Sequence, residues 1–217
     1  MRVGVVVFPG SNCDRDIHHT LQYTGHTPLY IWHEDTIPDD VECVILPGGF
    51  SFADRLRAGA IASHSPIISD IRRMAEEKRP ILGICNGFQI LAEAGLLPGV
   101  LLPNGGGRFM CRWTNIITTQ NRTPFTRILT VNARIPIPVA NGEGRYHVDD
   151  PGELERNGQI VFKYESNIND STYNIAGVCN ENGNVVGLMP HPERSAEPDI
   201  NPYDHKPARA IFEGMVA

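Results

Sequence analysis

Gly83-Ile84-Cys85-Asn86-Gly87-Phe88-Gln89 joins a short apolar run, Pro80-Ile81-Leu82-Gly83-Ile84, to a helix-like pattern, Phe88-Gln89-Ile90-Leu91-Ala92-Glu93-Ala94-Gly95. A G-x-Cys-x-G spacing at a strand-to-helix junction is that of a nucleophile elbow, a turn so tight that side chains two before and two after the nucleophile must be absent. The spacing predicts Cys85 at the mouth of a sheet and at the N-terminus of the following helix. There the helix dipole and unpaired N–H groups lower a thiol pKa from its free value of about 8.5.

Upstream of the elbow, apolar runs alternate with helical patterns. Residues 3–8 form a β-branched run ended by Pro9-Gly10-Ser11-Asn12, after which Ile17, Leu21 and Thr24 recur at near-helical spacing up to Gly25. Residues 27–32 and 41–46 read as strands, the second stopped by Pro47-Gly48-Gly49. A helix over 66–78 carries Ile67, Ile68, Ile71 and Met74 on one side and Asp70, Arg73, Glu76 and Glu77 on the other. Strands that are apolar throughout point to a sheet covered on both faces. The expectation is an α/β, doubly wound, mostly parallel sheet. Ligands on such sheets sit at the carboxyl ends of the strands, so the loops after Phe8, Leu46 and Ile84 are where chemistry is expected.

The second half reads differently. Residues 110–118, 126–131, 135–139, 160–164 and 175–179 are short β segments, and Asn180-Glu181-Asn182-Gly183-Asn184 before Val185-Val186-Gly187-Leu188-Met189 is a hairpin signal. An amphipathic helix over 207–216 closes the chain. With 217 residues and no repeat or linker, one domain over 1–217 with added β segments in its second half is expected.

Composition narrows the functional classes. Apolar residues make up 41% and charged residues 20%, too apolar for a disordered chain. Net charge is −6 with no basic block longer than Arg72-Arg73, which argues against nucleic acid as the main partner. No apolar run approaches the roughly 18 residues that a membrane span requires. The five cysteines, Cys13, Cys43, Cys85, Cys111 and Cys179, contain no CxxC pair, and neither a zinc site nor a disulfide framework is expected. Free thiols fit a reducing cytoplasm. Cys13, Cys43, Cys111 and Cys179 read as small packing residues, and Cys85 stands apart through its turn.

A reactive thiol needs a base and an acid for its leaving group. Among eight histidines, His191 lies in Met189-Pro190-His191-Pro192-Glu193-Arg194, directly after an apolar strand. Two prolines lock its backbone, and Glu193 two positions on can orient the imidazole. Oxyanion donors are expected from the N–H of Asn86 and from the turn at Gly48-Gly49. The histidines show neither HxH nor HExxH spacing, so a metal hydrolase is disfavoured and no metal is expected.

In order and type, the Pro47-Gly48-Gly49 turn, the Cys85 elbow with Gln89, and His191-Pro192-Glu193 resemble the class I (triad) glutamine amidotransferases. Phe8-Pro9-Gly10-Ser11-Asn12-Cys13-Asp14, Gly49-Phe50-Ser51-Phe52, Leu56-Arg57-Ala58-Gly59-Ala60-Ile61-Ala62, Arg108-Phe109-x-Cys111-Arg112-Trp113 and Asn141-Gly142-Glu143-Gly144-Arg145-Tyr146 narrow the resemblance to the phosphoribosylformylglycinamidine synthase branch of that family, over residues 1 to about 216. The resemblance implies a flavodoxin-like fold with Cys85 as nucleophile, His191 as general acid/base and Glu193 orienting it. It also implies Gly48, Gly49, Asn86 and Gln89 around the glutamine pocket, with backbone at Arg108 and Phe109 closing it. It further implies a glutaminase subunit of a purine-biosynthetic ligase, with a large synthetase subunit and a small bridging subunit as partners. ATP and magnesium are then expected on the synthetase and no cofactor in this chain. Where the family reads Gly-Asp-Tyr-Leu-Arg, this chain has Ala53-Asp54-Arg55-Leu56-Arg57, so a differently shaped loop is expected there. Two alternatives remain open at this point: a free-standing γ-glutamyl hydrolase on the same elbow, and a regulatory subunit with a silent site.

Overall fold

The computed structural model describes residues 1–215. The elements run β1 (Arg2–Val7), α1 (Asp14–Tyr23), β2 (Thr27–Trp32), β3 (Cys43–Leu46), α2 (Ile67–Glu76), β4 (Ile81–Ile84) and α3 (Asn86–Glu93). They continue with β5 (Val100–Leu102), β6 (Met110–Thr118), β7 (Arg134–Asn141), β8 (Arg145–His147), α4 (Pro151–Arg156), β9 (Ile160–Tyr164), β10 (Ile175–Cys179), β11 (Val185–Leu188) and α5 (Lys206–Glu213). A nine-stranded sheet in the order β2-β1-β3-β4-β11-β10-β9-β6-β7 forms the spine. Strands β2, β1, β3, β4 and β11 are parallel, and β10, β9, β6 and β7 extend the sheet by antiparallel pairing.

Burial follows from the sequence pattern. β3 and β4 are buried at every residue because helices cover both of their faces, which is why they lack polar alternation. α1 turns Ile17, Thr20 and Leu21 inward, and α2 buries the predicted Ile67, Ile68, Ile71 and Met74.

Register positions the chemistry. β11 returns from the antiparallel half to lie parallel to β4, with Leu188 opposite Ile84. The residues leaving both strands therefore emerge side by side, Cys85 from one and the Met189–Glu193 segment from the other. On the opposite flank of β4, Leu46 of β3 stands opposite Gly83, which delivers Gly48 and Gly49 to the same edge. β1 lies beside β3, so the loop after Phe8 arrives there too.

Several expectations need correction. Residues 126–131 are turns and not a strand: Thr126 and Arg127 N–H donate to the Thr123 carbonyl and Leu129 N–H to that of Thr126, and the Thr123 and Thr126 hydroxyls bond each other at 2.7 Å. Short hydroxyl side chains here satisfy the backbone locally in place of a ladder. The third strand begins at Cys43, two residues later than its apolar run, because Val41 N–H closes a turn onto Pro38. The closing helix spans Lys206–Glu213, and Val216, in the helix expected over 207–216, lies outside the described residues. The small antiparallel pair of β5 with β8, and α4 with its Asp150 cap on Glu153 N–H at 3.0 Å, were not anticipated.

Candidate active site

Cys85 occupies a tight turn between β4 and α3. Its backbone sits at φ 51 and ψ −107, a strained conformation for a residue with a side chain. Its N–H is anchored to the Leu188 carbonyl at 2.8 Å, and Asn86 opens α3 immediately afterwards. The flanking glycines are there for space. A Cβ on Gly87 would strike the Leu46 carbonyl oxygen, and one on Gly83 would lie 2.7 Å from the Gly87 carbonyl. The elbow read from the sequence is thus a close crossing of β3, β4 and the first turn of α3.

The Pro47-Gly48-Gly49 turn packs directly onto this elbow. A methyl on Gly48 would lie 2.8 Å from His191 Cε1, 3.1 Å from Cys13 Sγ and 3.3 Å from Cys85 Cβ. The Gly48 carbonyl accepts from the N–H groups of Asn12 at 3.2 Å and Cys13 at 3.1 Å. In a trans peptide that turns the Gly49 N–H the other way, away from the α1 loop. Asn86 N–H, at the first position of α3, has no intrahelical acceptor. These are the two donors expected for an oxyanion.

The base is assembled from β11. His191 N–H donates to the Pro138 carbonyl at 2.9 Å, and its Nδ1 pairs with Glu193 Oε1 at 2.7 Å. Both side chains are buried, and His191 Nε2 and Glu193 Oε2 have no hydrogen-bond partner. Burial opposes a charged imidazole, but the Glu193 carboxylate and the Cys85 sulfur outweigh it and hold His191 well above its ordinary proton affinity. Cys85 Sγ donates to the Ala140 carbonyl at 3.7 Å, and the sulfur lies near enough to His191 to raise its proton affinity. Two other histidines also precede an acid by two residues. His33 is buried among aromatic rings and His147 is exposed beside Asp149, both in other environments.

Asn86 and Gln89 are buried and committed to a polar chain: Ser51 N–H donates to Asn86 Oδ1 at 3.1 Å, Asn86 Nδ2 to Gln89 Oε1 at 3.0 Å, and Gln89 Nε2 to the Glu143 carbonyl at 2.7 Å. These bonds hold both side chains in place beside the elbow. Phe109 stacks on Phe50 at 6.5 Å and is half-exposed, which brings Arg108–Phe109 beside the loop that follows the Gly48–Gly49 turn, while the Arg108 side chain faces solvent. In the loop where the chain departs from the family pattern, Ala53, Asp54 and Leu56, with Phe52 just before them, are at positive φ. Burial, reinforced by the Glu143 carboxylate, pushes the Asp54 carboxyl up to about 6. Beside these residues an open cavity of about 520 Å³ is lined by Pro9, Gly10, Asn12, Phe50, Phe52, Ala53 and Arg55. A larger cavity of about 610 Å³ around His147, Asp149, Asp150 and Glu153 contains no nucleophile, and chemistry does not follow size here.

Cys13, expected as a packing residue, is buried, and it packs against the candidate base. Its sulfur lies 4.0 Å from His191 Nδ1 and 3.1 Å from Arg194 Nη2. The signal that could have found it was its place in the loop after the first strand, one of the three loops marked for chemistry. Cys43, Cys179 and exposed Cys111 lie elsewhere, and all five cysteines are free thiols. No helix among the described residues is long and apolar enough to cross a membrane.

Comparison with known proteins identifies the family. Residues 1–216 match the CobB/CobQ-like glutamine amidotransferase domain. The chain is 47% identical over 205 residues, 94% of each chain, to phosphoribosylformylglycinamidine synthase subunit PurQ of Methanothermobacter thermautotrophicus. It is 46% identical to the subunit of the same name from Pyrococcus furiosus, over 100% of this chain and 97% of that one. Among solved structures, PurLQS from Thermotoga maritima contains a chain that superposes with a TM-score of 0.91 at 46% identity, covering 99% of this chain and 96% of that one. A glutamine amidotransferase from Thermotoga maritima, at 17% identity and a TM-score of 0.63 over 99% of this chain and 96% of that one, shares the fold.

Proposed function

The chain belongs to the CobB/CobQ-like glutamine amidotransferase family, and from that premise we propose that it is the glutaminase subunit of a phosphoribosylformylglycinamidine synthase. It hydrolyses glutamine to glutamate and ammonia and hands the ammonia to a synthetase subunit, which converts formylglycinamide ribonucleotide to formylglycinamidine ribonucleotide with ATP. The observation that carries the catalytic reading is the convergence of a strained Cys85, a buried His191–Glu193 pair with Nε2 free, and the Gly48 turn on one another.

The chemistry follows from these positions. The Cys85 thiolate attacks the side-chain carbonyl of glutamine, and the negative oxygen forms between the N–H groups of Gly49 and Asn86. His191, kept protonated by Glu193, donates a proton from Nε2 to the amide nitrogen, and ammonia departs. A γ-glutamyl thioester is left on Cys85. The now neutral imidazole removes a proton from water, which attacks the thioester and releases glutamate, and Cys85 regains its proton relationship with His191. Asn86 and Gln89 hold the pocket wall, and the Phe50–Phe109 stack and the Arg108 backbone close its rim.

Ammonia released into open water is protonated and lost as a nucleophile, so a water-excluding path to the synthetase belongs to this reading. The partners are a large synthetase subunit and a small bridging subunit, with ATP and magnesium on the synthetase. Exposure of the chain to a glutamine-analogue electrophile, followed by peptide mass analysis, tests the site: the adduct is expected on Cys85 and to be blocked by excess glutamine. An adduct elsewhere, or none, overturns the assignment.

A further inference from the structure

Cys13 faces both halves of the site. Its N–H donates to the Gly48 carbonyl at 3.1 Å, and its sulfur lies 4.0 Å from His191 Nδ1 and 3.1 Å from Arg194 Nη2. Arg194 is held in turn by Asp16 of α1, with Nε 3.0 Å from Oδ2. Cys13 Sγ, a His191 ring nitrogen and a Glu193 carboxylate oxygen lie within 4.8 Å of one another, all buried. Glu193 Oε2 has no hydrogen-bond partner. A Cys-His-Glu trio of this size has the dimensions of a cation site, but the Arg194 guanidinium on the sulfur already brings a positive charge and repels a second one. Because the Arg194 N–H points at a sulfur lone pair, the S–H proton is free for the His191–Glu193 side, where a buried acceptor lacks a donor.

We propose that Cys13 is a positioning residue of the catalytic base: its thiol, wedged between Arg194 and the His191–Glu193 pair, fixes the imidazole against the oxyanion turn that its own backbone N–H orients. Burial pushes the Cys13 thiol up, although its bond with His191 and the Arg194 charge pull the other way, so it remains a neutral thiol and does not compete with Cys85 as nucleophile. The groups facing the imidazole are Cys85 from the start of α3, Cys13 from the start of α1, and Glu193 on its own segment. Arg194 and Asp16 stand behind Cys13. The bond with Cys13 favours the protonated imidazole, so its loss makes His191 give up its proton at lower pH.

This inference rests on the triad reading, and its test separates the two. The rate at which a glutamine-analogue electrophile labels Cys85 is measured across the neutral pH range for the full-length wild-type chain, Cys13→Ala, Cys13→Ser and Arg194→Gln, each checked for folding by circular dichroism. Cys13→Ala is expected to label about tenfold more slowly at saturating analogue, with half-saturation unchanged and the alkaline limb of the profile moved to lower pH. Cys13→Ser, which keeps a small donor, is expected to recover to within about threefold of wild type. Arg194→Gln, which takes away the group that holds the sulfur from behind, is expected to slow labelling in the same way, with its limb displaced only toward higher pH because a neighbouring cation is lost, and its rate decides the matter should Cys13→Ala not fold. Wild-type rate and an unmoved limb in the folded Ala variant, or a wild-type rate in Arg194→Gln where that variant decides, overturn the positioning role and leave the triad standing. Failure of the wild-type chain to label at Cys85 overturns the triad itself.

Discussion

Replacing Gly48 by alanine probes the site at the point where nucleophile, base and oxyanion turn touch. The added methyl would lie 2.8 Å from His191 Cε1, 3.1 Å from Cys13 Sγ and 3.3 Å from Cys85 Cβ. Carbon atoms in contact settle at roughly 3.5–4.0 Å, so the imidazole must retreat by about 1 Å. It cannot do so freely, because Glu193 holds its Nδ1 at 2.7 Å and Pro138 holds its N–H at 2.9 Å. Misplacement of a catalytic group by about 1 Å costs about 100-fold in rate, equivalent to ~2.7 kcal/mol of transition-state stabilisation. Overpacking is expected to cost a further ~1–3 kcal/mol of fold stability. Steady-state glutamine hydrolysis gives kcat/KM, and thermal melting gives stability. In the reconstituted synthase, synthesis supplied with free ammonia should survive, because that route bypasses the elbow. A Gly48→Ala variant that keeps kcat/KM within about threefold of wild type would refute the claim that the turn and the base are in van der Waals contact.

Two further outcomes follow from the loop after the turn. Ala53→Gly is expected to raise stability by about 0.5–1 kcal/mol in denaturant melts, since Ala53 is exposed and sits at φ 57 where a Cβ is strained; a lower midpoint contradicts this. Asp54, pushed up to about 6 from its ordinary 3.8, holds its proton more tightly in the folded chain, so wild type loses stability as pH rises through that interval. Asp54→Asn removes this loss, a difference of ~3 kcal/mol at full strength and ~1–2 kcal/mol after solvent screening of a partly exposed carboxyl; parallel melts of the two chains below and above that interval should diverge accordingly, and parallel stability curves contradict it.

The elbow was legible because it depends on local rules: two glycines spaced around a cysteine between an apolar strand and a helix allow little else. The parallel core was legible for a related reason, since runs such as Cys43–Leu46 and Ile81–Ile84 are apolar at every position. His191 was found through its prolines and Glu193, but its proximity to Cys85 depends on β11 entering the sheet beside β4, and no local pattern announces that step. The same limit hid Cys13. Nothing in Ser11-Asn12-Cys13-Asp14 states that a buried sulfur will meet an arginine and a histidine from the other end of the chain, because those contacts form only when β1, β3, β4 and β11 lie in register. The turns at 126–131 misled for the opposite reason: the apolar pattern suits a strand, but threonine hydroxyls offer the backbone a local alternative.

The central claim is that this chain makes ammonia at Cys85 for a synthetase that can also use ammonia from solution. It is tested most directly by measuring formylglycinamidine ribonucleotide formation by the synthase reconstituted with Cys85→Ser, once with glutamine and once with an ammonium salt as nitrogen donor. Glutamine-dependent synthesis is expected to vanish while ammonia-dependent synthesis continues at the wild-type rate. Loss of both activities, or survival of the glutamine-dependent one, would contradict the account.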